Sequence, residues 1–183
     1  MRILFIVILF SFKSCNSPNL PKQKGFFAPE FSYPNYENFN SNCDHSFIKN
    51  VDAEIIYYED CIYEFDYKKL NSKMYINNIK INQNFSSVSN QFEEKILNNS
   101  ENADQILTSE YSDDYNNIYS RVFQFIGDTP SNIQFYVTDS ISNFLSASLY
   151  FNSNPNYDSL LPYIHYIRGD IKKIIETFDW KNE

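Results

Sequence analysis

Between Ile133 and Trp180 the apolar and polar positions follow two successive rhythms. Ile133, Phe135 and Val137 fall to one side and Gln134, Tyr136 and Thr138 to the other, the alternation of a strand with one buried face. Leu145, Ala147, Leu149 and Phe151 repeat that alternation in a second strand. After a turn rich in Asn and Pro, the period lengthens. Leu160, Leu161, Ile164, Ile167, Ile171, Ile174, Ile175 and Phe178 recur at helical spacing, with Asp158 placed to cap the helix. Strand pair and helix each carry an apolar face that neither can bury alone, so each is expected to cover the other.

The rest of the chain adds strands and one more helix. From Gly25 to Asn50, aromatic residues alternate with turn formers, which predicts an irregular segment with one short strand near Ser46–Lys49. Ala53–Tyr58 and Cys61–Tyr67 read as strands joined by a tight turn at Glu59-Asp60. Lys73–Asn82 reads as a further strand, or as a small hairpin about Asn77-Asn78. Phe85–Asn98 has Val88, Phe92 and Ile96 in line and Ser86 or Ser87 as cap, which predicts a helix. Gln105–Tyr111, Asn117–Ile126, Asn132–Asp139 and Asn143–Asn152 then form a four-stranded meander, with Gly127-Asp128-Thr129-Pro130 as a turn. The order of strands, helix, four strands and helix predicts an α+β fold, an antiparallel β-sheet covered by two helices, in a single domain over residues 26–183. No internal repeat or heptad pattern calls for a second domain.

The first residues follow neither rhythm. MRILFIVILFSFKSC has a basic Arg2, then Ile3–Phe12 in which only Ser11 is polar, then the small Ser14 before Cys15. Ten residues rise about 15 Å as helix against roughly 30 Å of bilayer core, so the stretch is too short to span. It resembles a bacterial lipoprotein signal over residues 1–14, with Cys15 as the lipidated residue. An ordinary secretory signal cut nearby, or an uncleaved chain with a buried Cys15, are the alternatives. Residues 15–25 then carry the anchored cysteine and an extended, proline-containing tether. Acyl chains contribute about 0.8 kcal/mol per buried CH₂, so two or three of them hold a protein on its membrane. The tether lacks the acidic block that usually follows the lipidated cysteine in surface-exposed Bacteroidetes lipoproteins. By that analogy, the chain is expected on the outer membrane, lipid-anchored and facing the periplasm.

Charge and composition narrow the chemistry. A net charge of −8, with no Lys/Arg cluster, argues against nucleic acid or an anionic lipid surface as partner. Three glycines leave no material for a phosphate-cradling loop, and no nucleophile-elbow or dinucleotide motif occurs. The fifteen Tyr and seventeen Phe fit either a packed core or an exposed patch for a partner.

Cys43 and Cys61 form an even pair once Cys15 is set aside, which in an oxidising periplasm reads as a disulfide. Two other readings stay open: two free buried thiols, or a soft-metal set of Cys43, His45 and Cys61 with Glu59 or Asp60, without the usual ligand spacing. His165, off the apolar stripe of the last helix, is expected at the surface. Asp113-Asp114, Glu59-Asp60 and Glu93-Glu94 are adjacent carboxylates, more consistent with solvated pairs than with acid and base partners. No catalytic constellation, cofactor site or metal site is assigned. Asp139-Ser140-Ile141 and Asp158-Ser159-Leu160 match the short Bacteroidetes O-glycosylation pattern, one that also arises by chance.

The leader, the string Pro21-Lys22-Gln23-Lys24-Gly25-Phe26-Phe27, the pair Cys43 and Cys61, and the strings IQFYVTDS, FLSASLYF and IRGDIKKIIETFDW occur in this order. Together they resemble the gliding motility lipoprotein GldD family of Bacteroidetes. Ala28 and Ser146 depart from the family, which tends to carry Arg there, and Leu97–Asn102 has drifted. The resemblance implies a non-catalytic accessory component of the gliding motility and type IX secretion machinery. It also implies partners among the other lipoproteins of that machinery, GldJ-like proteins above all, whose stable levels it supports. The closing helix followed by Thr177-Phe178 is similar to the ending of PsbP/Mog1-like domains, an analogy of fold alone. A periplasmic ligand- or lipid-binding lipoprotein module is the alternative function. A deep apolar pocket between sheet and helix would favour it, whereas a filled core with an exposed aromatic face would favour assembly.

Overall fold

A computed structural model of the chain describes residues 28–59, 61–98 and 100–181, so the leader, Cys15 and the tether to residue 25 lie outside it. The fold is α+β, with two antiparallel sheets and two helices. The larger sheet has seven strands in the order β3 (Glu54–Glu59), β4 (Ile62–Tyr67), β5 (Ser72–Lys80), β9 (Asn143–Phe151), β8 (Ser131–Thr138), β7 (Ile118–Ile126) and β6 (Gln105–Asp113). The smaller is β1 (Tyr36–Asn40), β2 (His45–Asn50) and β10 (Asp179–Trp180), with β2 central. The seven-stranded sheet joins two meanders, β3-β4-β5 and β6-β7-β8-β9, through the long ladder from Ser72↔Phe151 to Lys80↔Asn143. That ladder runs unbroken through Asn77 and Asn78, so this stretch is one strand and makes no hairpin.

The helices lie on opposite faces of this sheet. Helix α2 (Tyr157–Glu176) sets Ile164, Ile167, Ile171, Ile174 and Ile175 against Tyr63, Phe65, Met74, Ile133, Phe135, Val137, Leu145 and Leu149. Helix α1 (Phe85–Asn98) sets Phe85, Val88, Phe92 and Ile96 against Phe123, Phe125, Tyr136 and Phe144 on the other side. Strand β8 therefore lies between two apolar layers, and all eight of its residues are buried. Its alternation predicts one buried face. The structure instead uses Tyr136 and Gln134 on the second face, where aromatic breadth and a hydrogen bond from Ser148 Oγ to Gln134 Oε1 replace aliphatic packing.

The N-terminal segment carries more structure than its turn formers suggest. Phe39 and Phe47 pair across β1 and β2, meet as tilted rings and join the core beneath Phe65. This small sheet closes over the end of α2 because β10 adds Trp180 opposite His45. Both helices depart from the expected cap residues. Helix α1 begins at Phe85, which places Ser86 and Ser87 inside its first turn. In α2 the cap is Asn156, whose side chain accepts from the Ser159 N–H, while Asp158 stands in the first turn. A short acceptor just before the first helical residue is the better-placed partner for an unpaired N–H. Asn156→Ala is expected to destabilise the protein by about 1 kcal/mol in urea denaturation. An Asp158→Ala loss as large or larger would place the cap at Asp158 after all.

Gly127 turns the chain between β7 and β8 at φ +120°, and a Cβ there would meet the Asn102 carbonyl oxygen at 2.8 Å. Only glycine fits this corner without movement of the facing backbone.

Candidate functional site

Two buried polar clusters hold the small sheet to the rest of the fold. In the first, Cys43 and Cys61 form a disulfide with Cα atoms 5.5 Å apart, fastening the loop before β2 to the start of β4. His45 lies beside it, fully buried among Phe47, Tyr63, Phe178 and Trp180. Its Nδ1 lies 2.8 Å from the Cys43 carbonyl, which can only accept, so Nδ1 carries the proton. Nε2 is then a bare acceptor, and the Tyr63 hydroxyl donates to it at 2.7 Å. Burial lowers the pKa of His45 to about 4, which keeps the ring neutral. The two sulfurs are thus bonded to each other, and the ring nitrogens are held by the Cys43 carbonyl and the Tyr63 hydroxyl. Among the described residues, no cluster of His, Cys, Asp and Glu has metal-binding geometry.

The second cluster centres on Asp170 of α2, which is 1% exposed. Its carboxylate accepts from Tyr36 Oη and from Asn50 Nδ2, each at 3.0 Å, and the Tyr67 hydroxyl lies beside it. Burial raises the Asp170 pKa, and desolvation together with the nearby carboxylate pushes Tyr36 up to about 12. Lys49, also buried, donates to Glu37 Oε1 at 2.6 Å and to the Ala53 carbonyl at 2.9 Å. Tyr36 and Asn50 thereby dock β1 and β2 on the helix, while the buried Tyr67 hydroxyl has no partner in bonding geometry. Sequence reasoning passed over Asp170. Its position three residues after Ile167 and four before Ile174 was the available signal, since that spacing puts it on the buried stripe.

The remaining predicted positions are scattered. His165 is exposed on α2, as its place off the stripe predicts. Asp113 caps its own turn by accepting from the Tyr115 and Asn116 N–H groups. Glu93 meets Arg121, which also binds Glu110. Asp139 accepts the N–H groups of Ile141, Ser142 and Asn143, closing the β8–β9 turn in which Ser140 takes a positive φ of 65°. Glu59 is exposed, and Asp60 lies outside the described residues.

The surface has one larger feature. Helix α1 covers its face of the sheet only over β6, β7, β8 and β9. Over β3, β4 and β5 the same face carries Ile56, Tyr58, Ile62, Tyr75 and Ile79, each between 38 and 53% exposed. Cross-strand register places them together: Ile56 stands opposite Glu64, Glu64 opposite Tyr75, Ile62 opposite Asn77, and Lys73 opposite Tyr150. Tyr75 and Tyr150 meet edge to face at 5.7 Å. In the middle lies Glu64, whose Oε1 accepts from Lys73 Nζ at 2.6 Å. Burial opposes its charge, and bonding to Lys73 and the neighbouring Tyr58 outweighs that cost, so its pKa is lowered. The Glu64 Oε2 atom is buried and has no donor in bonding geometry, although the Tyr58 and Tyr75 hydroxyls lie near it. A contiguous aromatic and aliphatic face around a shielded ion pair is the composition of an interaction surface.

The recesses are peripheral to the core. One of about 190 Å³ lies between α2 and β6–β7, lined by Tyr111, Val122, Ile171 and Ile175 with charged residues at its rim. Another, of about 160 Å³, lies where Phe31 stacks on Tyr166 of α2 at 4.9 Å. A third, about 820 Å³, is an open groove lined by Glu101, Asp104, Asp128 and Asp158. Apart from the recess at β6–β7, side chains fill the space between α2 and the central strands β4, β5, β9 and β8.

The described residues form an α+β domain with a hydrogen-bonded polar interior and an open, partly aromatic sheet face. Across residues 16–180 the chain matches the gliding motility lipoprotein GldD family, and it belongs to that family. No curated protein matches the chain. Membership makes the protein a gliding motility lipoprotein, a membrane-anchored class.

Proposed function

We propose that this protein is a non-catalytic accessory component of the gliding motility and type IX secretion machinery. Cys15 anchors it to the outer membrane, facing the periplasm, where it buries surface on a larger partner lipoprotein of the GldJ kind and keeps that partner folded. Family membership over residues 16–180 carries the reading. The uncovered face of β3, β4 and β5 supplies the contact surface it requires. Anchoring confines the search to a membrane plane and raises the effective concentration of domain and partner for each other. The filled space between α2 and the central strands supports assembly over small-ligand binding.

The test is crosslinking in native cells, followed by identification of copurifying proteins from wild type and Cys15→Ser. Lipoproteins of the secretion machinery are expected with the wild type and lost, by about tenfold or more, from the mutant. Copurification of nothing, or of a small molecule alone, would overturn the assembly role. An undiminished set of partners in the mutant would remove the anchor from the mechanism.

A further inference from the structure

We propose that the edge strand β3 receives an extended segment of the partner, an apolar stretch with lysine or arginine at both ends, as an eighth strand of the large sheet. The inference deepens the assembly role and rests on it. Among the described residues, strand β3 pairs with β4 on one side only. In an antiparallel ladder alternate residues aim N–H and C=O away from the neighbour, so the free side of β3 presents a row of unpaired backbone groups.

Natural edges are guarded by Pro, by inward charge or by polar side chains. The opposite edge, β6, follows that rule, with Thr108, Ser109, Glu110 and Ser112 exposed along it. Strand β3 does not: between Glu54 and Glu59 it reads Ile-Ile-Tyr-Tyr, and its outer face continues into the patch of Ile62 and Tyr75. An added strand would therefore gain a hydrogen-bonded ladder and an apolar floor together. The register shift of β3 against β4 lies between Tyr57 and Glu59, leaving Glu54 to Tyr57 as a regular run. The disulfide at Cys61 holds the adjoining turn to the loop at Cys43.

Charge selects the occupant. A second copy of this chain, paired antiparallel over the full strand, would set Glu54 opposite Glu59 at both ends, and like charges directly opposite disfavour pairing. The chain as a whole carries −8. A segment with basic ends instead meets Glu59 with its complement and joins Lys68 at Glu54.

The experiment uses the full-length protein in detergent and three synthetic peptides: Lys-Val-Thr-Val-Thr-Lys, its counterpart with Glu at both ends, and the basic peptide with Pro in place of its second Val. Affinity is read by fluorescence anisotropy, and amide hydrogen exchange is read over residues 54–59. The lysine-ended peptide is expected to bind about tenfold more tightly than the glutamate-ended one, the ratio that two cross-strand ion pairs supply, and to slow exchange in β3. The Pro peptide should lose both effects. Glu54→Lys combined with Glu59→Lys, two exposed positions, should reverse the preference. Equal binding of the two end-charged peptides, binding without protection of β3, or no binding at all would each overturn the proposal. None of those results bears on copurification in cells, so the assembly role stands or falls separately.

Discussion

Lowering the pH from 7 to 4 is expected to remove about 3 kcal/mol of folding stability through His45 alone. The folded ring has its pKa lowered to about 4 by burial, with Nε2 occupied by the Tyr63 hydroxyl and aromatic rings on either side. An unfolded histidine titrates near pH 6.5. Between these two values the unfolded chain binds a proton that the fold excludes. The His45 contribution is therefore complete above about pH 6.5, falls by roughly 1.4 kcal/mol per unit as pH drops through the window, and levels off below about pH 4. Asp170 has the opposite sign: its raised pKa means that protonation at acid pH relieves a buried charge. Comparison with His45→Gln separates the two. Urea denaturation at pH 7, 5.5 and 4.5 should show the steep loss in wild type and a flatter profile in the variant, which cannot gain that proton. Parallel profiles would mean that His45 is protonated in the folded protein.

Replacing both Cys43 and Cys61 by alanine is expected to cost about 3 kcal/mol, the chain entropy released when a loop of this length is opened. The bond closes a sequence separation of 18 residues that contains β2 and β3. Its loss frees the strand carrying His45 from the strand carrying Tyr63. The two perturbations share atoms, because the Cys43 carbonyl is the acceptor for His45 Nδ1. Their effects should therefore be non-additive: the double-alanine variant is expected to show a shallower acid transition than wild type. Denaturation of this variant and of the oxidised and reduced wild type, each at pH 7 and 4.5, measures both terms. A midpoint unchanged by reduction and by substitution would show that the crosslink constrains nothing in the unfolded chain.

Both effects bear on the proposed function through one physical link. The disulfide and His45 fix the strand pair at whose edge the open face begins, so their loss should loosen the contact surface before the core beneath β8 unfolds. Side chains such as Phe135 and Leu149 have neighbours on both sides and lend the central strands greater local stability than an edge strand has.

The strand and helix pattern determined a good deal by itself. The meander from β6 to β9, the closing helix with its isoleucine stripe, and the α+β class follow from local periodicity, because a residue's face within its own element depends only on its position along that element. The exposed place of His165 follows for the same reason. What covers each face was not legible there. Whether β8 is buried once or twice, whether α1 shields seven strands or four, and where Glu59 and Glu54 stand relative to a free edge all depend on contacts between segments far apart in the chain. The three-stranded sheet shows this most clearly: β10 is two residues long and exists only because Asp179 and Trp180 reach Ser46 and His45, more than 130 positions earlier. Asp170 likewise reads as one more charge in IRGDIKK until Tyr36 and Asn50 converge on it. Periodicity fixes the direction in which each side chain points, and the tertiary structure alone decides what it meets there.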